Sequence, residues 1–434
     1  MNIIEIILKK TKGKTLTKEE IAYFVQEYTK GNIADYQAAA LIMAIFIKGL
    51  SEQETVDFTI EMANSGDVLD LSSIGDNIID KHSTGGIGDK ITLILTPIIA
   101  SLGIPVAKMS GRGLGYTGGT VDKMEAIPGY TTELTKEKFI KNVKETGIAL
   151  VGQTSEVAPA DKKIYALRDA IGCVENLELI ASSIMSKKIA LGANGFVLDV
   201  TVGHGAFMKT LEQGENLANM LNLIGRKAGK KTACILTNMN EPVGKSIGNI
   251  LEVEEAIEAL KGNLENDVKE IVLELGAHMM FLYGGYNNLE ENKQKILEKI
   301  QNGDGYKKFI ELVQAQGGDA KFITGEKQLP KASYIIPVLS EQKGYVKDLN
   351  GETIGKTSVI LGAGRVKKED KIDHTVGIIL NKKNGDKVEV NEVLAYIYAN
   401  EEQLGKKCTE EIKKAYTFTE KPVEKEKTIL KVVI

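Results

Sequence analysis

The chain has 434 residues, 43 % of them apolar, too many for a single core, and this predicts a globular protein of two or three domains. With 55 basic against 59 acidic residues the formal charge is −4. No global field therefore draws the chain to nucleic acid or to an anionic membrane, and any anion must be held locally. Cys173, Cys234 and Cys408 are far apart and form no CxxC pair, which argues against a disulfide framework or a thiolate zinc site and fits a cytoplasmic protein.

The first ten residues, MNIIEIILKK, carry Glu5 inside a short apolar run and lack a small-residue cleavage pattern, so they are not read as a secretory signal. Residues 1–70 read as helices. Thr17 with Glu20, and Ser51 with Glu54, fit the capping box, in which hydroxyl and carboxylate satisfy each other's orphan N–H groups at a helix start. Gly31 and Gly49 read as stops for the helices that precede them. The longest apolar run, Ala38–Leu50, is too short to span a bilayer and contains Lys48, so it is expected to be a buried helix.

From Ile78 the texture changes to short apolar strands, glycine turns and helices, the pattern of a parallel α/β layer. The run ending at Ile78–Ile79 reads as a strand and Ile91–Leu102 as a helix. Further strands are expected at Ile104–Met109, Ile148–Val151, Gly195–Val202 and Thr232–Leu236. A polar helical insert, 161–190, interrupts them and resembles the first 70 residues in character. Helices follow at Glu252–Leu260, Asn266–Tyr283 and Glu290–Asn302. After Lys331, β-rich segments and turns such as Asn384-Gly385-Asp386 mark a C-terminal α+β region. Its run Gly385–Leu394 has the texture of a biotinyl-carrier hammerhead without an attachment lysine. The predicted class is α/β: a helical domain (1–70 with 161–192), a larger mixed α/β phosphate-binding domain (71–160 with 193–330), and a C-terminal α+β, barrel- or hammerhead-like region (331–434).

The chemistry concentrates in Asp80-Lys81-His82-Ser83-Thr84-Gly85-Gly86-Ile87-Gly88-Asp89, between a strand and a helix. Its glycines free backbone N–H groups to approach an anion, and Lys81, Ser83 and His82 add charge and donors. A second loop, from Lys108 to Thr120, repeats the order Lys, any residue, Ser, glycines. Side by side at the carboxyl ends of parallel strands, the two would surround a tetrahedral anion with Lys81, Ser83, Ser110 and Thr120. Neither is a P-loop, and the loose G-x-G-x-x-G at Gly113–Gly118 lacks the acidic partner of a dinucleotide site, so NAD is not expected. In the insert, Ser183 and Lys187 share a helix face. Together with Arg168 they are read either as site residues or as solvated surface, and the sequence leaves both readings open.

Lys81–Gly86, Ser110–Gly115, Thr117–Thr120, Arg168-Asp169 and Ser182–Lys188 together resemble the thymidine and pyrimidine-nucleoside phosphorylase family, in order and spacing over the whole chain. The resemblance implies a homodimer that performs reversible phosphorolysis of uridine, thymidine or deoxyuridine to free base and (deoxy)ribose 1-phosphate. Inorganic phosphate is then the co-substrate, and no organic cofactor is implied. It assigns phosphate to Lys81, Ser83, Thr92, Lys108, Ser110 and Thr120, and the base to Arg168, Ser183 and Lys187, walled by Leu114 and Phe207. His82, Arg168 and Lys187 become the catalytic residues, with His82 facing the 2-oxo group. Lys108 implies acceptance of uridine as well as thymidine. The resemblance also implies a monovalent cation, such as K+, on backbone oxygens of Gly88, residue 90, Val243 and Ser246 and on the carboxylate of Glu255. Residue 90 is lysine here, and its ammonium would replace or repel that ion. Tyr116 and the segment Thr201–Gly205, which includes His204, depart from the family pattern. The alternatives weighed are a phosphoribosyltransferase of the anthranilate type and a non-catalytic nucleoside or sugar-phosphate binding protein.

Overall fold

The computed structural model describes residues 1–113, 115–116, 118–154, 156–365, 367 and 370–434. Four helices open the chain, α1 (Ile3–Thr11), α2 (Lys18–Lys30), α3 (Asp35–Lys48) and α4 (Glu52–Ala63). Next come β1 (Ile79–Ser83), α5 (Ile91–Ser101), β2 (Val106–Ser110), α6 (Thr120–Glu125), α7 (Lys136–Thr146) and β3 (Ile148–Gly152). Helices α8 (Pro159–Ala170) and α9 (Leu177–Ala190) interrupt the alternation, which resumes with β4 (Gly195–Val202), α10 (Leu211–Lys227), β5 (Lys231–Asn238) and β6 (Ser246–Ile247). There follow α11 (Asn249–Leu260), α12 (Asn266–Tyr283), α13 (Leu289–Gln301), α14 (Asp304–Ala315) and α15 (Lys321–Thr324). The C-terminal region holds β7 (Tyr334–Leu339), β8 (Gly344–Leu349), α16 (Gly351–Leu361), β9 (Gly377–Leu380), β10 (Lys387–Val388), β11 (Val393–Ala399), α17 (Glu402–Ala415), β12 (Tyr416–Thr419) and β13 (Ile429–Val433).

The class is α/β, with a helical unit in front and an α+β region behind. The main sheet runs β1-β4-β5-β13, parallel except for β13, which returns from the C-terminal region to pair antiparallel with β5. A parallel pair, β2-β3, lies beside β1. Side chains alternate between two cores along the central strands, and β4 is buried over its whole length, as a pleated sheet covered on both faces requires. Val197, Ala233 and Ile235 face a core shared with Ile94 of α5, Val253 of α11, Leu275 of α12 and Phe309 of α14. Phe196, Leu198, Cys234 and Leu236 face the opposite core, with Val56 of α4, Phe139 of α7, Met185 of α9 and Leu217 of α10. The C-terminal region folds around a third core with sheets β10-β8-β12 and β6-β9-β11-β7, the second of which takes its edge strand β6 from the α/β segment.

Both expected capping boxes form, at Thr17/Glu20 and Ser51/Glu54, and Gly31 closes α2 in the left-handed region. The expected strands are present within a few residues. β1 differs usefully: it continues past Ile79, so Lys81 and His82 belong to the strand and not to a turn. Their backbones pair with Val197 and Leu198 of β4, and this ladder overrides the polarity of the side chains. Helix α10 has a capping box at Thr210/Gln213, a legible signal absent from the sequence expectations.

Two helices depart from expectation. The insert read as polar contains α9, which is buried on most sides because it serves two cores: Leu179 packs with α1–α4, while Ala181, Met185 and Ala190 pack against the sheet. α3, expected to be buried, is so on one side only. Leu41, Ile42 and Ile45 point inward, but Tyr36, Met43 and Ile47 stay exposed, as do Ile4 and Leu8 of the adjacent α1. Met185 is completely buried beneath the sheet. Truncation by Met185→Ala is expected to cost about 2 to 5 kcal/mol by leaving a cavity, read as a lowered midpoint in urea denaturation.

Candidate functional site

The carboxyl end of β1 carries the first loop. Lys81 is fully buried, with its Nζ 3.6 Å from Asp199 Oδ2 and 3.8 Å from Asp89 Oδ1. Among the described residues no atom accepts a hydrogen bond from this ammonium. A buried cation with unmet donors costs free energy unless an anion completes its shell, so the geometry is that of an anion site. Ser83 accepts from the Gly85 N–H at 3.1 Å. Asp89 is pushed up by burial, but Lys81, Lys123 and Ser83 more than offset this and hold its carboxyl below the usual range. Asp199 is raised to about 6 by burial and by the neighbouring Asp89, against the pull of Lys81, and accepts from Thr237 at 2.6 Å. Thr92 is buried in the first turn of α5, whose orphan N–H groups lie at the loop's end. Ser110 ends β2 beside β1, and Thr120 opens α6. Lys123 of α6 ties the two loops by donating to Asp89 O at 2.6 Å while pairing with Glu252 at 2.7 Å.

The second group stands on α8 and α9, pinned together at both ends by the cations the sequence singled out. At one end Lys187 donates to Asp161 at 2.5 Å and to Ser183 at 2.9 Å. At the other, Arg168 donates to the backbone oxygens of Cys173 (3.1 Å), Val174 (2.8 Å) and Leu179 (3.0 Å). Arg168 is only 1 % exposed, so of the two readings left open by the sequence the solvated one fails, and its guanidinium keeps unused N–H donors. Ser183 is buried and Lys187 partly so.

The two groups meet through Lys188. Its ammonium pairs with Asp80 at 2.7 Å and donates to Met109 O at 3.2 Å, joining α9 to β1 and β2. Lys108, also buried, lies 3.4 Å from Asp80 and donates to Met109 O at 2.9 Å. Burial lowers the Lys108 pKa well below the ordinary lysine value; Asp80 opposes this, while Lys188 and Lys81 add to it. His82 is half-buried above this cluster. Burial, with Lys188, Lys108, Lys81 and Lys187 around it, pushes its pKa well below the usual imidazole range, so the ring is neutral at neutral pH.

Gly88, Lys90, Val243, Ser246 and Glu255 also come together, but around the Lys90 ammonium, which takes the backbone oxygens of Val243 (2.7 Å) and Ser246 (3.1 Å) and Glu255 Oε2 (2.8 Å). A monovalent cation does not fit oxygens already committed to an ammonium. Phe207 is 46 % exposed on the loop after β4, and Leu114 lies outside the described residues. His204 is exposed, its Nδ1 3.8 Å from Asp348 of the C-terminal region. Lys209, in no motif, gathers the Tyr116 hydroxyl, His204 O and Glu352 at 3.2, 3.0 and 2.9 Å.

Three family models match: a glycosyl transferase family helical bundle domain over residues 4–66, a glycosyl transferase family a/b domain over 75–306, and a pyrimidine nucleoside phosphorylase C-terminal domain over 345–419. The pyrimidine-nucleoside phosphorylases of Staphylococcus haemolyticus and Bacillus subtilis are each 50 % identical to the chain over 404 residues, covering 93 % of it and 93 % of the relative. The chain belongs to the pyrimidine-nucleoside phosphorylase family. In fold it is also similar to the anthranilate phosphoribosyltransferase of Thermus thermophilus, with a TM-score of 0.58 and 17 % identity over 71 % of this chain and 98 % of that one.

For this member of the pyrimidine-nucleoside phosphorylase family, sequence reading missed Asp80, Asp161, Asp199 and Lys188, the partners that position the singled-out residues. Asp80 and Lys188 lay inside quoted motifs, and each adjoins a site lysine, so that signal was present. Asp161 and Asp199 carry none beyond an acidic residue in a buried element. The lowered His82 pKa has a definite sign. Both folded and unfolded rings are neutral above the ordinary imidazole value; as pH falls below it, the unfolded state gains the proton first and stability is lost until the folded ring titrates. Relative to His82→Asn, the native protein is expected to lose up to about 1.4 kcal/mol per pH unit below pH ~6.5, measured by denaturant titration across pH.

Proposed function

We propose that the chain catalyses reversible phosphorolysis of pyrimidine nucleosides, releasing free base and (deoxy)ribose 1-phosphate. The observation that carries this is the unmet, fully buried Lys81 ammonium, joined through the adjacent Asp80 and Lys188 to the donors on α8 and α9. Phosphate completes the shell of Lys81, aided by Ser83, Ser110, Thr120 and the start of α5. The pyrimidine takes the unused donors of Arg168 and Lys187, with Ser183 alongside. As the glycosidic bond stretches, negative charge spreads onto the base and the sugar gains oxocarbenium character. Donors fixed where that charge develops stabilise the transition state more than the ground state, and phosphate attacks C1′ from the opposite face. A neutral His82 can offer an N–H to the 2-oxo group without placing another cation beside four lysines. Closure of the two groups would exclude water, the competing nucleophile.

We further propose a cytoplasmic homodimer. No described helix is long and apolar enough to cross a membrane, and the three cysteines are free and buried, which suits a reducing compartment. The exposed stripe of Ile4 and Leu8 on α1 and Tyr36, Met43 and Ile47 on α3 is the apolar face a second copy would cover.

Release of uracil from uridine is expected to require phosphate and to yield one ribose 1-phosphate per uracil; release without phosphate, or none at all, rejects the reading. Lys187→Ala is expected to lower kcat/KM by about 100- to 1,000-fold and, by leaving the buried Asp161 unpaired, to lower the melting temperature as well. Ser110→Ala is expected to raise the KM for phosphate more than that for the nucleoside. The opposite split would remove Ser110 from the phosphate site.

A further inference from the structure

Lys90 is fully buried directly after the phosphate loop, at the N-cap of α5. Its three acceptors, Val243 O, Ser246 O and Glu255 Oε2, match the donor number of an ammonium. Glu255 is itself fixed, accepting from the Ser246 N–H at 2.6 Å and the Lys245 N–H at 2.9 Å. Burial pushes its carboxyl up, but Lys90 and these N–H groups more than offset this and keep it ionised. The enclosing turns require glycine. A Cβ on Gly88 (φ +73°) would stand 2.5 Å from Val243 O, and one on Gly244 (φ +66°) would stand 2.1 Å from Glu255 Oε1 and 2.7 Å from Lys90 Nζ. Three separate stretches, residues 88–90, 243–246 and α11, thus close around one positive charge. Because Ser246 and Ile247 form β6 on the C-terminal sheet, the same charge ties the phosphate loop to that region.

We propose that the Lys90 ammonium is a resident cation, holding in place by covalent attachment the oxygen cage that a free monovalent ion would otherwise gather, and that the enzyme therefore works without any such ion. Lys90 is a positioning residue: it touches neither proposed substrate and acts through the Gly88–Asp89 end of the phosphate loop. A second cation among the same oxygens would sit against the ammonium and be repelled.

The test compares wild type, Lys90→Thr and Lys90→Met in potassium, sodium or tetramethylammonium salts at one ionic strength, reading thermal melting and initial rates. Wild-type rates are expected to agree within about twofold among the three salts, since screening is held constant. In tetramethylammonium, Lys90→Thr is expected to melt lower and to raise the phosphate KM about tenfold or more, with less effect on the nucleoside KM, because uncompensated oxygens now face each other. Potassium should restore Lys90→Thr, which leaves room for an ion, and not Lys90→Met, which fills the cage without charge. Wild type that loses about tenfold or more of its rate without potassium overturns the proposal whether or not either variant folds. So does a Lys90→Thr protein indifferent to the salt. The kinetic arm rests on the phosphorolytic reading and the melting arm does not, so failure of one is told apart from failure of the other.

Discussion

The buried ion pair between Lys188 and Asp80 is the contact on which the site depends. It joins the last turns of α9 to the strand that carries Lys81 and His82, at 2.7 Å and almost wholly out of solvent. Taking both charges from water is expensive, so the pair contributes little net stability by itself; removing one partner would strand the other and cost about 3 to 5 kcal/mol. Its value is positional. Lys187 and Lys188 are consecutive on α9, so fixing Lys188 on Asp80 sets where Lys187 and Ser183 stand relative to the phosphate loop.

The same device recurs. Lys10 with Glu54, Lys123 with Glu252 and Lys90 with Glu255 are all buried pairs, each joining segments far apart in the chain. Each lysine also donates to a backbone oxygen or shares its carboxylate with backbone N–H groups, as burial of charge demands. Lys81 breaks the pattern. Its carboxylates stand at 3.6 and 3.8 Å, beyond hydrogen bonding, and its donors are left for something else.

Much of this was legible in the sequence because glycines, caps and apolar periodicity are local signals. The loops after β1 and β2, both capping boxes and most of the strand and helix positions follow from them. The ion-pair partners were not legible, because a lysine is by default a surface residue and nothing local says that Lys90 or Lys188 is buried. Arg168 shows the limit most clearly. The sequence offered a choice between ligand contact and solvent, whereas the structure commits part of the guanidinium to the carbonyls that bind α8 to α9. For α9 the lack of a polar stripe reflects two cores on two sides, a tertiary fact that periodicity within one helix does not contain.

The most direct measurement is a crystal structure of the protein with phosphate and uracil both bound. Expected is a phosphate oxygen within hydrogen-bonding distance of Lys81 Nζ and uracil oxygens on Arg168 and Lys187, with the Lys188–Asp80 pair intact between them. Phosphate seated away from Lys81, or uracil bound away from α8 and α9, would contradict it.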